Sequence, residues 1–176
     1  MNSTILELPY VISLEELFWG GTLVAITMAM HGFGMLLVLR LSTALKHRFE
    51  ISPSLASGLF ILIIASWAII LVHLSEVAVW ASFFLWKHAF PNGSLSYYFS
   101  LNEYTTLGSN YNLPLHWRLL EGMIGTAGLL TFAWSTGILF TLAQDFQDQQ
   151  MQLLKQRRGK RQPRLPPLPG QRQDTP

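Results

Sequence analysis

Three stretches of this chain are too long and too apolar to be anything but membrane-crossing helices. The first runs without a charge from Leu17 to Leu39 and opens on the aromatic pair Phe18-Trp19. The second begins at Leu55, reaches Leu74 before its first acid, Glu76, and continues apolar to Trp86. The third extends from Gly122 to Ala143. A bilayer core of ~30 Å takes roughly 20 apolar residues as a helix, and each stretch qualifies. Only 12% of the 176 residues are charged, so a soluble enzyme burying three such helices would have too little polar chain left to cover them.

Several classes fall away at once. There is no cysteine, hence no disulfide framework and no thiolate metal site. Met1 to Tyr10 carries no basic residue and the first apolar run is too long for a signal core, so no cleavable secretion signal is expected. No phosphate loop, nucleophile elbow or HExxH motif is present, and an enzyme is not expected.

Charge gives the expected orientation. Only acids (Glu7, Glu15 and Glu16) precede the first span, whereas Arg40, Lys46 and Arg48 follow it. The tail carries Lys155, Arg157, Arg158, Lys160, Arg161, Arg164 and Arg172. Basic flanks stay cytoplasmic, which places the N-terminus and the 91–117 segment outside and the first link and tail inside. The chain is thus expected in the plasma membrane, as a multi-pass protein of the bacterial inner membrane. The tail from Gly159 to Pro176 is basic and proline-rich, which predicts disordered or polyproline-like chain attracted to anionic lipid. No nucleic-acid partner is expected.

Local signals mark the helix ends. Ser13-Leu14-Glu15-Glu16 reads as a capping box. Ser52-Pro53 suits a helix start, and from there to His88 a helix would run ~54 Å, longer than the bilayer core. Pro91-Asn92-Gly93 breaks it. Ser94 to Thr105 then predicts a helix capped by Ser94 or Asn92, only ~18 Å long and too short to cross. Its Tyr97, Tyr98, Phe99, Leu101 and Tyr104 are too apolar for a solvated loop. A half-crossing helix followed by irregular backbone is tolerated at membrane depth only inside protein or lining water. The expected fold is therefore an all-α membrane protein with three transmembrane helices, plus a re-entrant pore helix and filter loop between the second and third spans.

The residues of that loop suit a cation. Thr105-Thr106-Leu107-Gly108-Ser109-Asn110 follows a helix C-terminus, which carries partial negative charge. Carbonyls of Thr106, Leu107 and Gly108 turned to an axis would replace the hydration shell of an ion. Gly108 permits the positive φ that such rings require. One loop per chain cannot close a ring, so a homotetramer is expected.

The order of span, short helix, TTLG, loop and span resembles the pore module of tetrameric potassium channels. Trp117-Arg118 before the third span, with Gly128 ten residues beyond the arginine, resembles the inner helix of bacterial channels; the resemblance makes Gly128 a gating hinge. The extra N-terminal span, His73-Leu74-Ser75-Glu76 and Phe132-Ala133-Trp134-Ser135-Thr136 are similar to three-span bacterial ion-channel, or two-pore-domain-like potassium-channel, proteins. The likeness covers about residues 55–145. It departs where that family has Gly-Tyr-Gly-Asp and this chain has Gly108-Ser109-Asn110-Tyr111. The family tyrosine braces the filter against the pore helix, and Ser109 cannot span that gap. Asparagine tolerates φ > 0 better than other non-glycine residues, so Asn110 can keep the backbone while selectivity falls.

Three further groups are singled out. His73 and Glu76 lie three apart on one helix face with Trp80 a turn further, an arrangement for bracing the filter, for sensing pH, or for an interfacial acid solvated by headgroup water. Glu103 stands just before the filter, either as an electrostatic element near the pathway or as a hydrogen-bonded brace behind it. His31, among Gly32, Phe33 and Gly34, reads as a packed histidine bonded to a neighbouring helix. A haem b protein would need two axial histidines at one depth. His31 is about nine residues from the inner end of the first span and His73 about eighteen from that of the second, a difference of roughly 13 Å.

The chain thus divides into residues 1–50 (external N-terminus, first span and cytoplasmic link), a pore module 51–146 and a tail 147–176. Within the module lie the pore helix 94–105, the filter 105–110 and the inner helix 117–146. The expected function is a cation-channel subunit passing potassium with reduced selectivity, with no cofactor and no metal beyond the permeant monovalent cation at Thr106, Leu107 and Gly108. The alternative is a non-conducting regulatory or partner subunit that keeps the pore architecture. Ion flux separates the two.

Overall fold

The computed structural model describes residues 10–49 and 55–161, and all of its regular structure is helical. Helix α1 spans Leu14–Phe49, α2 Leu55–Trp86, α3 Gly93–Tyr104 and α4 Leu119–Arg161, with a 3-10 turn at Leu115–Trp117 before α4. Three of these helices are long and apolar enough to cross a membrane, at Leu14–Arg48, Ala56–Trp86 and Leu115–Lys155. The start expected at Ser52-Pro53 and the tail beyond Arg161 lie outside the described residues.

The helix ends follow their sequence signals. Ser13 Oγ accepts from the Glu16 amide at 3.1 Å while Glu16 Oε2 accepts from the Ser13 amide at 3.0 Å, the reciprocal pair that closes a capping box. Of the two caps open for α3, Asn92 takes the role: its side chain accepts from the Leu95 amide at 2.9 Å. Helix α2 stops at Trp86, and His88 turns the chain with φ 53°.

Two expected boundaries move. Arg40, Lys46 and Arg48 were expected on a link, but α1 carries them helically to Phe49. Their side chains are long and straight-chained, which helices accept readily, and nothing between Leu39 and Phe49 breaks the turn. The inner helix, expected over 117–146 with the polar, glutamine-rich Asp145 to Gln156 open to extending it, runs on through that stretch to Arg161.

Side-chain contacts fix how the spans stand. Helices α1 and α2 are antiparallel, touching at Glu15–Lys87, Thr27–Trp80 and His31–Glu76. Helices α1 and α4 are parallel, from Glu16 beside the Leu119 amide to Lys46 beside Asp145. Close approach depends on missing side chains: a Cβ on Gly34 would fall 2.7 Å from the Val72 methyls. The α1 start, the α2 end and the α4 start share one rim. There Lys87 Nζ sits 4.8 Å from the rings of Trp19 and Trp86 and 5.1 Å from Trp117.

Helix α3 runs back along α2 from that rim. Ser96 Oγ donates to the Ala81 carbonyl at 2.7 Å, and the Tyr104 hydroxyl reaches Glu76. Its last turn lies on a flat strip of α4, where a Cβ on Gly125 would meet the Glu103 carbonyl oxygen at 3.3 Å and one on Gly128 the Tyr104 carbonyl oxygen at 1.9 Å. Phe84, Phe90, Phe99, Trp80, Leu120 and Ile124 pack the space between α2, α3 and α4.

Candidate functional site: a buried polar cluster beside a carbonyl-rich loop

All four helices contribute to one polar cluster. Glu76 on α2 is fully buried. Its Oε1 lies 2.9 Å from Nδ1 of His31 on α1, and its Oε2 accepts from the Tyr104 hydroxyl at the end of α3. His73, one turn earlier on α2, places Nδ1 3.5 Å from Glu76 Oε2 and 3.0 Å from the Tyr104 hydroxyl. The far edges of both imidazoles converge on Ser135 of α4, with His73 Nε2 at 2.9 Å and His31 Nε2 at 3.3 Å from its Oγ. Thr131, a turn before Ser135, sets Oγ1 2.5 Å from the Tyr104 hydroxyl. One turn along, Trp80 Nε1 donates to Thr27 Oγ1 at 3.0 Å. Polar groups removed from water need such partners, and a bilayer makes the requirement stricter.

This arrangement corrects one expectation. Instead of lying roughly 13 Å apart in depth, His31 and His73 have ring centroids 5.2 Å apart. The expectation failed because it ended the first span at Arg40, whereas His31 stands as far before Phe49 as His73 stands after Leu55. The two Nε2 atoms meet at a single serine hydroxyl, which leaves no gap for a haem macrocycle between them. His31 does bond to neighbouring helices, and the His73–Glu76 face does include Trp80. Glu76 is not a headgroup-solvated acid, being fully buried. The part played by Thr131 was not read from sequence, and Ser135 entered only as one letter of a resembling string.

The loop begins at the next residue. The amides of Thr105, Thr106 and Leu107 fold back onto the α3 carbonyls of Leu101, Glu103 and Asn102 at 3.0, 3.0 and 2.9 Å. The Thr105 hydroxyl also donates to the Leu101 carbonyl at 2.8 Å. The carbonyls of Leu101, Asn102 and Glu103 at the end of α3 are thereby paired, and the Tyr104 carbonyl lies against Gly128 of α4. Among the described residues, nothing donates to the carbonyls of residues 105–109. The backbone turns at φ 59° for Thr106 and 76° for Gly108, with Leu107 between them outside that region. A β-branched residue at positive φ is strained by about 1–3 kcal/mol, and such strain gathers at functional sites.

The remaining candidates fall around this loop. Ser109 Oγ accepts from the Tyr111 amide at 3.1 Å, a local bond that does not reach α3. Tyr111 instead meets Tyr98 edge-on at 6.4 Å. Glu103 is half-buried on the last turn of α3. Burial pushes its carboxyl above the ordinary range, the Glu121 carboxylate adds to the rise, and the Ser109 amide opposes it. Glu121 itself fastens the returning chain, accepting from the Leu113 amide at 2.7 Å. Gly128 lies where α4 touches the Tyr104 carbonyl, inside an unbroken helix.

No protein-family model matches this chain, and neither a curated protein nor a solved structure does.

Proposed function

We propose that the chain is a cation-channel subunit, four copies of which surround an axis lined by Thr105, Thr106, Leu107, Gly108, Ser109 and Asn110. Helix α3 is then a re-entrant pore helix, α2 and α4 are the outer and inner helices of the pore, and α1 is an additional outer span. The N-terminus lies outside, and the basic extension of α4 lies in the cytoplasm. The reading rests above all on the loop carbonyls. Their amide neighbours are spent on α3, and positive φ stands on either side of Leu107. A row of oxygens with no protein donor is what a dehydrating cation requires.

The exposed faces agree with assembly. Leu107 is 79% exposed, an apolar side chain at the tip of a loop otherwise held by polar bonds. In a tetramer it meets its neighbours. The permeant ion is potassium with reduced preference over sodium, because the Ser109 side chain bonds to the Tyr111 amide and does not reach α3. The same observation favours a second reading, a non-conducting subunit that keeps the architecture.

Flux from proteoliposomes holding the purified chain separates the two. Potassium and sodium should both pass, at rates differing by much less than in a braced filter. Gly108→Val should abolish flux while assembly persists, since a Cβ there meets nothing within 4 Å but a β-branched residue at φ 76° would add a second strained position beside Thr106. Absence of flux from well-folded wild-type tetramers would leave the second reading, and a monomer would end both.

A further inference from the structure

We propose that His31, His73 and Glu76 form a binding site for one divalent transition-metal cation of the zinc class, held between α1 and α2. Their ligand atoms all lie within 4.8 Å of one another, and all three residues are buried. Two imidazoles and a carboxylate are a donor set that zinc accepts, and tetrahedral ligands around zinc stand about 3.3 Å apart. The distances of 2.9 Å for His31 Nδ1 to Glu76 Oε1 and 3.5 Å for His73 Nδ1 to Glu76 Oε2 bracket that value. The Tyr104 hydroxyl, 3.0 Å from His73 Nδ1, offers a fourth oxygen.

The stronger argument comes from the opposite edge of the rings. Ser135 Oγ has one proton, and it lies 2.9 Å from the Thr131 carbonyl one turn back on its own helix, its nearest fixed acceptor. With that proton spent, the oxygen can only accept, and both Nε2 atoms that face it must be donors. Each neutral imidazole protonated at Nε2 then turns a bare lone pair at Nδ1 toward Glu76. Nitrogen lone pairs against a carboxylate repel unless positive charge, a proton or a metal ion, lies between them, and the convergence of all three ligand atoms within 4.8 Å suits the metal. A dication on the two Nδ1 atoms and the carboxylate satisfies every atom at once. It leaves Ser135 in the role that outer partners of metal-bound histidines play, fixing the tautomer and the ring plane.

The site is independent of ion conduction, though it would join α1, α2 and the end of α3 one residue before the loop. Its test needs no flux. The full chain, purified in detergent without a histidine tag and stripped with chelator, is titrated with Zn2+ and separately with Co2+. We expect one zinc bound per chain, a rise in melting temperature on loading, and cobalt ligand-field bands of a four-coordinate nitrogen and oxygen site. His31→Gln and His73→Gln should each remove the bands. Ser135→Ala, which leaves every ligand in place, should weaken binding about 10–100-fold. The exposed His47, His88 and His116 serve as a background, since binding that survives both glutamine variants resides there and overturns the proposal. A folded wild type that takes up no metal overturns it equally. Should the glutamine variants fail to fold, X-ray absorption of the zinc-loaded wild type decides. Two imidazoles per metal support the site, and fewer than two refute it.

Discussion

Tyr104 and Leu107 are three residues apart and live in opposite conditions. Tyr104 is 1% exposed and its hydroxyl touches Glu76, His73 and Thr131, from two other helices. Leu107 is 79% exposed, and its amide is tied only to the preceding turn of its own segment. The cluster around Tyr104 is fixed by partners distant in sequence, whereas the loop's hydrogen bonds reach no farther than six residues along the chain. A long-range network holds one geometry because every member depends on several others. A locally bonded loop adapts to what it meets, whether neighbour or ion. The contrast puts conformational certainty directly behind the place where a ligand would need compliance.

Breaking the cluster should therefore cost far more than altering the loop. Glu76→Ala leaves the Tyr104 hydroxyl and the His31 imidazole buried without their carboxylate partner, and unfolding in detergent should show a loss of about 3–5 kcal/mol. Gly128→Ala comes next. A methyl group there overlaps the Tyr104 carbonyl, backbone that cannot swing aside, and a loss of about 1–3 kcal/mol is expected in the same assay. It also sharpens the question of that glycine: if Gly128 serves only as a hinge, the substitution alters opening and leaves stability alone. Trp80→Phe removes one bond to Thr27, whose hydroxyl keeps its partner in the Leu23 carbonyl, so about 1 kcal/mol should be lost. Leu107→Ala should move stability by under about 0.5 kcal/mol while changing flux or assembly. A loss as large as that of Glu76→Ala would erase the distinction between the two regions.

The sequence disclosed these two regions unequally. Spans were legible because length without charge has one physical meaning, and the capping box because Ser13 and Glu16 sit at the spacing that pairs their side chains with each other's amides. His73 and Glu76 were legible as a pair since both belong to one helix. His31 was not, because its depth depends on where α1 ends, and charge alone suggested Arg40. A helix can carry lysine and arginine well past the apolar core, so the end of hydrophobicity is not the end of the helix. Contacts between helices depend on such offsets and leave no periodic mark. The unpaired loop carbonyls were expected from the glycine and the threonines, but the return of three amides onto α3 was not. That arrangement follows from φ at Thr106, a residue type that gives no warning of it.

Glu16 has a bearing on how the protein meets its bilayer. Its carboxylate closes the first turn of α1 and also accepts from the Leu119 amide, at 3.2 Å, at the start of α4. One buried side chain thus ties the heights of the first and last spans together. Sliding either along the other would leave an amide and a carboxylate stranded in an apolar setting. In a thinner membrane the two spans cannot shorten their exposed length by shifting separately, so the bundle must lean as a unit or draw the lipid toward itself. Bilayer thickness would then act on this protein through tilt. Because α3 rests on α2 and on the glycine strip of α4, the loop would travel with that tilt.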